Sequence, residues 1–165
     1  MSILHFKFPR MKHEENSMRG AKYADSHGYD KIDWDLQLTK DDVIVVTHWR
    51  RPMRQDGFFD TRHRLAPSTP IGQMTWWQVR HLKTHDGYRI RRIEQMLPVA
   101  ARLGLVAVLE PKSPRFAAGW IWEHITQVAH DCGARIEAYA LKSHGGGETM
   151  RAAASYGIKT RVIQR

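Results

Sequence analysis

The amino-acid sequence predicts an α/β fold whose sheet is mainly parallel, and three observations lead to this prediction. Short apolar runs that suit buried strands alternate along the chain with longer segments of helical spacing. Residues 32–38 alternate strictly between apolar and polar side chains, which is typical of a strand. Several predicted strands end in charged residues, and the active sites of parallel α/β folds lie at strand ends of this kind.

The first half of the chain is predicted to contain a strand, a helix, two more strands and a loop. Asn16 or Ser17 can cap the helix, and Gly28 stands where a glycine ends a helix. A continuous β-branched run at 43–47 suits a strand buried on both faces. The predicted elements are a strand at 3–6, a helix ending near 26, strands at 32–38 and 43–47, and a long loop at 49–75.

The second half continues the alternation of helices and strands. Apolar residues recur at helical spacing in 116–131, Gly104 stands where a helix would end, and short apolar runs separate the predicted helices. The predicted helices lie near 75–83, 92–103, 116–131 and 147–155, and the predicted strands lie at 105–109, 135–141 and 158–163.

The composition indicates one soluble domain over residues 1–165, with 42% hydrophobic residues. Lys and Arg number 26 against 17 Asp and Glu, and the net charge of +9 favours anionic partners. The single Cys132 excludes an internal disulfide framework and a cysteine zinc cluster. We see neither a secretory leader nor an apolar run of membrane-spanning length, so we expect a cytoplasmic protein without a transmembrane segment.

Two carboxylates share one face of the predicted strand at 32–38. Asp33 and Asp35 are two residues apart, so both point to the same side, and like charges so close repel unless a cation lies between them. Hard oxygen ligands in this arrangement suit Mg²⁺, Ca²⁺ or Mn²⁺. The alternative is a strand whose polar face is simply hydrated. Further charged residues near strand ends favour a site: they are His5, His48, Glu110 and Lys112.

Six short motifs in order resemble those of the glycerophosphodiester phosphodiesterases over about two-thirds of the chain, residues 5–112. The motifs are His5-Phe6-Lys7, Glu15-Asn16-Ser17, Gly28-Tyr29-Asp30-Lys31-Ile32-Asp33-Trp34-Asp35-Leu36, Thr39-Lys40-Asp41, Val45-Val46-Thr47-His48 and Leu109-Glu110-Pro111-Lys112.

The resemblance implies a (β/α) barrel that hydrolyses glycerophosphodiesters to glycerol 3-phosphate and an alcohol with one divalent cation, Mg²⁺, Ca²⁺ or Mn²⁺. The expected partner is a small anionic phosphodiester rather than nucleic acid. The implied metal ligands are Asp33, Asp35 and Glu110, the implied general base and acid are His5 and His48, and the implied substrate-binding residues are Lys112, Glu15 and Asn16. A cation and an ammonium neutralise the charge of the phosphodiester, and two histidines with pKa values near neutrality can move the two protons.

The sequence departs from the family pattern at several positions. Phe6 stands where the family has an arginine that contacts phosphate, Asp33 replaces a glutamate, and Trp49 replaces an aspartate. These changes are compatible with altered specificity or with weakened catalysis. Eight βα units need about 200 residues or more, so we predict a truncated barrel of five to six parallel strands. Its open edge is then covered, or a second copy completes the barrel as a homodimer.

Two other functions stay open on the sequence. One is a phospholipase D-like enzyme acting on lipid headgroups, because such enzymes also use two histidines and an acidic metal site. The other is a catalytically degenerate module that uses its net charge of +9 to bind nucleic acid or acidic membrane.

Overall fold

The main sheet contains seven strands in a computed structural model that describes residues 3–4, 16–142 and 146–163. Its strands are β1 Ile3–Leu4, β2 Lys31–Leu38, β3 Ile44–Val46, β6 Arg91–Arg92, β7 Val106–Pro111, β8 Arg135–Leu141 and β9 Lys159–Ile163. A two-stranded sheet is formed by β4 Phe59–Asp60 and β5 Leu82–Lys83. The helices are α1 Met18–Ser26, α2 Pro52–Gln55, α3 Trp76–Val79, α4 Ile93–Arg102, α5 Gly119–Cys132 and α6 Gly146–Ala154.

Most neighbouring strands of the main sheet pair in parallel, as the sequence predicts. In space the strands follow the order β6-β3-β2-β7-β8-β9, and β1 pairs in parallel with the beginning of β2. β2, β7, β8 and β9 are parallel neighbours. β3 differs, because it runs antiparallel to β2. The connection between them is a short turn, and a short turn can join only antiparallel neighbours.

The alternation in β2 separates two faces of the sheet. Ile32, Trp34 and Leu36 are fully buried in the main hydrophobic cluster, which also contains Trp122 of α5. The opposite face carries polar side chains, and two of them are also buried: Asp35 and Gln37 are each 6% exposed. Buried charges require partners, so this face is the place to look for a site.

The ends of α1 agree with the prediction. The Ser17 hydroxyl accepts a hydrogen bond from the Gly20 N–H at 2.9 Å and caps the helix. Gly28 follows the helix with φ +71°, a left-handed conformation that favours glycine. The capped start and the glycine after its end therefore fix where α1 stops and where the chain enters β2 at Lys31.

The segment predicted as a loop and a helix contains more structure than expected. It includes α2, β4 and a 3₁₀ turn at Ile71–Gln73, and α3 is shorter than the predicted helix at 75–83. Leu82 is fully buried and pairs with Asp60 in the two-stranded sheet, so the helix cannot continue through it. A second hydrophobic cluster around Phe58 and Met74 holds this segment together.

Over the described residues, we find no helix with both the length and the apolar character needed to span a membrane.

Candidate active site

Three acidic side chains lie on one face of the main sheet, on β2 and β7. Asp33 and Asp35 are two residues apart on β2 and therefore share a face. Glu110 of β7 lies opposite Asp35 in the parallel pairing of the two strands. Asp35 and Glu110 are each 6% exposed. The register of two neighbouring strands thus brings carboxylates 75 positions apart into one buried group.

Lys112 connects two of these carboxylates. Its Nζ lies 2.8 Å from Asp35 Oδ1 and 2.6 Å from Glu110 Oε1, and its side chain is 14% exposed. Burial alone lowers the pKa of Lys112, but the charge and hydrogen bonds of Asp35, followed by those of Glu110, outweigh burial and raise it. Lys112 is therefore a charged ammonium in the middle of the acidic group.

His48 reaches the same group from the end of β3. The Thr47 N–H donates to the Asp35 carbonyl at 2.9 Å, and this contact holds the start of the following loop against β2. His48 Nδ1 then lies 2.9 Å from Asp35 Oδ2. Burial acts to raise the pKa of Asp35, but the hydrogen bond with His48 and the charge of Lys112 outweigh it and lower the pKa to about 2. Asp35 is therefore an anion that can orient the imidazole.

Asn16 supports Asp35 from the loop before α1. It is 2% exposed and has φ +62°, a left-handed conformation that asparagine tolerates better than most residues. Its Nδ2 donates to Asp35 Oδ2 at 2.9 Å, and its Oδ1 accepts from the Asp35 N–H at 2.7 Å. The Tyr88 hydroxyl donates to the Asn16 carbonyl at 2.7 Å and fixes the backbone at this point.

Tyr139 of β8 also belongs to the group, and the sequence did not identify it. Its hydroxyl oxygen lies 2.8 Å from Asp33 Oδ2 and 2.6 Å from Glu110 Oε2. Burial, together with the charges of Asp33 and Glu110, strongly raises the pKa of Tyr139, so the phenol keeps its proton. The sequence feature that could have pointed to Tyr139 is the alternation of β8, which puts the side chains of Glu137 and Tyr139 on one face of that strand.

The structure brings together six of the eight residues that the sequence suggested. These six are Asn16, Asp33, Asp35, His48, Glu110 and Lys112. The other two, His5 and Glu15, lie outside the described residues.

The chemistry of this donor set fits a divalent cation. Asp33, Asp35 and Glu110 offer only oxygen ligands, which Mg²⁺ and Ca²⁺ prefer. The Lys112 ammonium shows that a positive charge is already accommodated between Asp35 and Glu110. Within residues 16–142 and 146–163, no three His, Cys, Asp or Glu side chains are arranged to hold a metal ion. Lys112 and Tyr139 lie between the carboxylates instead.

Comparison with known proteins identifies a family whose model matches this chain and solved structures with a similar fold. A model of the glycerophosphoryl diester phosphodiesterase family matches residues 7–142. A glycerophosphodiester phosphodiesterase from Parabacteroides distasonis aligns with a TM-score of 0.73 and 19% identity, covering 98% of this chain and 63% of that one. An Agrobacterium tumefaciens glycerophosphodiester phosphodiesterase aligns with a TM-score of 0.67 and 18% identity, covering 93% and 60%.

A third solved structure contains a product. It is a phosphodiesterase from Oleispira antarctica in complex with sn-glycerol-3-phosphate, with a TM-score of 0.70 and 12% identity, covering 99% of this chain and 65% of that one. At such identities the similarity establishes the fold. Together with the mainly parallel sheet, the alignments confirm the predicted α/β barrel fold of the phosphodiesterase type. This chain spans about three-fifths of the length of these proteins. No curated protein matches the sequence.

Proposed function

Because the chain belongs to the glycerophosphoryl diester phosphodiesterase family, we propose that it hydrolyses glycerophosphodiesters to glycerol 3-phosphate and an alcohol. One observation carries the proposal. Lys112 and His48 both contact the buried Asp35, beside Glu110 on the neighbouring strand. An anionic diester needs positive charge near its phosphate and a group that moves protons, and these side chains supply both.

His48 is the proposed general acid. Its Nδ1 is engaged with Asp35, so Nε2 is the nitrogen that exchanges a proton with the substrate. In the reaction a water oxygen bonds to phosphorus, and the bond from phosphorus to the alcohol oxygen breaks. His48 gives its proton to that oxygen, and His5, which lies outside the described residues, is the proposed base that takes a proton from the water.

The acidic residues have a proposed role in holding a cation. Asp33, Asp35 and Glu110 would bind one Mg²⁺, Ca²⁺ or Mn²⁺, which supplies charge neutralisation at the phosphate when bound. Lys112 contacts the same phosphate as a point charge. Asn16 keeps Asp35 in place through its two hydrogen bonds, and Glu15 is the proposed support beside it.

The test is hydrolysis by the purified chain with each of the three cations. Glycerophosphoglycerol and glycerophosphocholine should both release glycerol 3-phosphate. Replacement of His48 by Gln should lower the rate by about 10²–10⁴-fold. His124→Gln is the matched control, because His124 contacts Glu94 at 2.8 Å in a similar pair on the surface. Absence of product from every diester with every cation would overturn the proposal.

A second copy of the chain is the proposed partner at the open edge of the sheet. β9 is the last described strand in the order, and its Val162 is 41% exposed. An unpaired strand edge favours association. Sedimentation of the wild type as a dimer, and of a Val162→Lys variant as a monomer, would support this arrangement, whereas a monomeric wild type would contradict it. A cytoplasmic location stays a prediction.

A further inference from the structure

A cavity of about 430 Å³ lies next to the acidic group, toward the carboxyl ends of β2 and β7. Its volume falls in the range of small-molecule sites. The polar side chains that line it are Gln37, Arg50, Gln73, Lys112, Ser113 and Arg115. Three of these are cations, and no Asp or Glu is found among the described lining residues.

Residues on β2 and just after β7 connect the cavity with the proposed catalytic groups. Lys112 lines the cavity and also contacts Asp35 and Glu110. Gln37 stands two residues after Asp35 on the same face of β2, and its Nε2 donates to the His48 carbonyl at 3.1 Å. A diester with its phosphate at Lys112 can therefore extend one of its two halves into this cavity.

Arg50 is the cation that the protein leaves available there. Arg115 already donates to the Thr39 carbonyl and to the Asp42 carboxylate, and Lys112 is bonded to two carboxylates. Arg50 is exposed and forms no ion pair with another side chain in the described part of the chain. The Ile71 N–H donates to the Arg50 carbonyl at 2.8 Å and fixes its backbone at the cavity wall.

We propose that this cavity receives the alcohol half of the diester and that Arg50 selects alcohols that carry negative charge. This inference rests on the proposed hydrolysis. A cationic alcohol such as choline meets like charge in the cavity, whereas a phosphorylated alcohol gains a charge-assisted contact with the guanidinium. The selection therefore acts on the alcohol and leaves the shared glycerol phosphate half unaffected.

The experiment compares kcat/KM for three diesters. Their alcohols are choline (cationic), glycerol (neutral) and inositol 4-phosphate (anionic). In the wild type we expect the anionic diester to exceed glycerophosphocholine by about tenfold or more. Arg50→Gln should reduce this ratio by about tenfold, and Arg50→Lys should retain part of it. Arg102→Gln is the control, because Arg102 is an exposed arginine at the end of α4 and does not line the cavity.

The outcomes separate the inference from the proposed function. Equal kcat/KM for the three diesters in the wild type, or a ratio unchanged in Arg50→Gln, overturns the role of Arg50 while hydrolysis itself stands. An equal loss on all three diesters also overturns it, because Arg50 then acts on the shared phosphate. Failure to hydrolyse any diester overturns the proposed function, and the inference falls with it. Unfolding midpoints of the variants verify that each is folded.

Discussion

Asn16 and Asp35 hold each other through two reciprocal hydrogen bonds across 19 positions of the chain. The Asn16 amide donates to Asp35 Oδ2 at 2.9 Å and accepts from the Asp35 N–H at 2.7 Å. Both residues are almost fully buried. One asparagine therefore satisfies the backbone and the carboxylate of Asp35 together, and Oδ1 of the carboxylate remains for Lys112.

Replacement of Asn16 should weaken both the fold and the site. Asn16→Ala leaves the buried Asp35 N–H without its partner and removes one hydrogen bond from Asp35 Oδ2, which keeps its contact with His48. We therefore expect the free energy of unfolding to fall by about 1–3 kcal/mol. Asn16→Asp keeps the acceptor but sets a second carboxylate against Asp35, and like charges repel. Urea denaturation measures both effects. Gln127→Ala is the control, since that surface amide donates to Asp131 at 2.7 Å, and a loss of equal size there would refute the role of Asn16.

Lys112 should stabilise the protein by neutralising two buried acids. In Lys112→Met, Asp35 and Glu110 face each other without the ammonium, and breaking a buried ion pair costs about 3–5 kcal/mol. Thermal unfolding at pH 7 should show this loss, and millimolar Ca²⁺ should restore part of it. Lys159→Met is a suitable comparison, because Lys159 is 77% exposed and lies 3.3 Å from Glu137. A variant as stable as the wild type without added cation would contradict this account.

Tyr139 should control the affinity for a divalent cation. Its hydroxyl contacts two of the proposed ligands, Asp33 and Glu110, and a phenol donates to only one acceptor at a time. Loss of a residue that orients metal ligands lowers metal affinity by about 10–100-fold. Calorimetric titration with Mn²⁺ should show that decrease in Tyr139→Phe, which keeps the ring, and not in Tyr156→Phe. If the wild type binds Mn²⁺ and the two variants bind it equally well, Tyr139 does not position the ligands.

The parts of the fold that depend on neighbouring residues could be predicted from the sequence. The alternation of β2 put Asp33 and Asp35 on one face because a strand repeats every two residues. The Ser17 cap and Gly28 marked the ends of α1 because capping is a local hydrogen-bonding requirement. These predictions needed no knowledge of the distant chain.

The remainder depends on contacts between distant segments. Tyr139 joins the site only because β8 pairs with β7 in one particular register, and no local pattern in β8 specifies that register. The segment predicted as the loop at 49–75 acquires structure because Phe58, Ile71 and Met74 bury one another in the second cluster. The burial of side chains from distant segments therefore determines the structure where local propensity does not specify one.

The pair of Lys31 and Glu137 predicts a pH dependence of stability. Lys31 Nζ lies 2.5 Å from Glu137 Oε2, with side chains 7% and 23% exposed. The hydrogen bond from Lys31 outweighs the effect of burial and lowers the pKa of Glu137 below its ordinary value of 4.5. Between the lower folded pKa and pH 4.5, Glu137 therefore binds more protons in the unfolded chain than in the folded chain. The stabilisation is present above pH 4.5 and is lost as pH falls through the lower folded pKa. Glu137→Gln should cost about 1–3 kcal/mol at pH 7 and much less at an acidic pH below the folded pKa of Glu137. Urea denaturation at both pH values measures the difference, with exposed Glu123→Gln as the control, and a cost independent of pH would contradict the assignment.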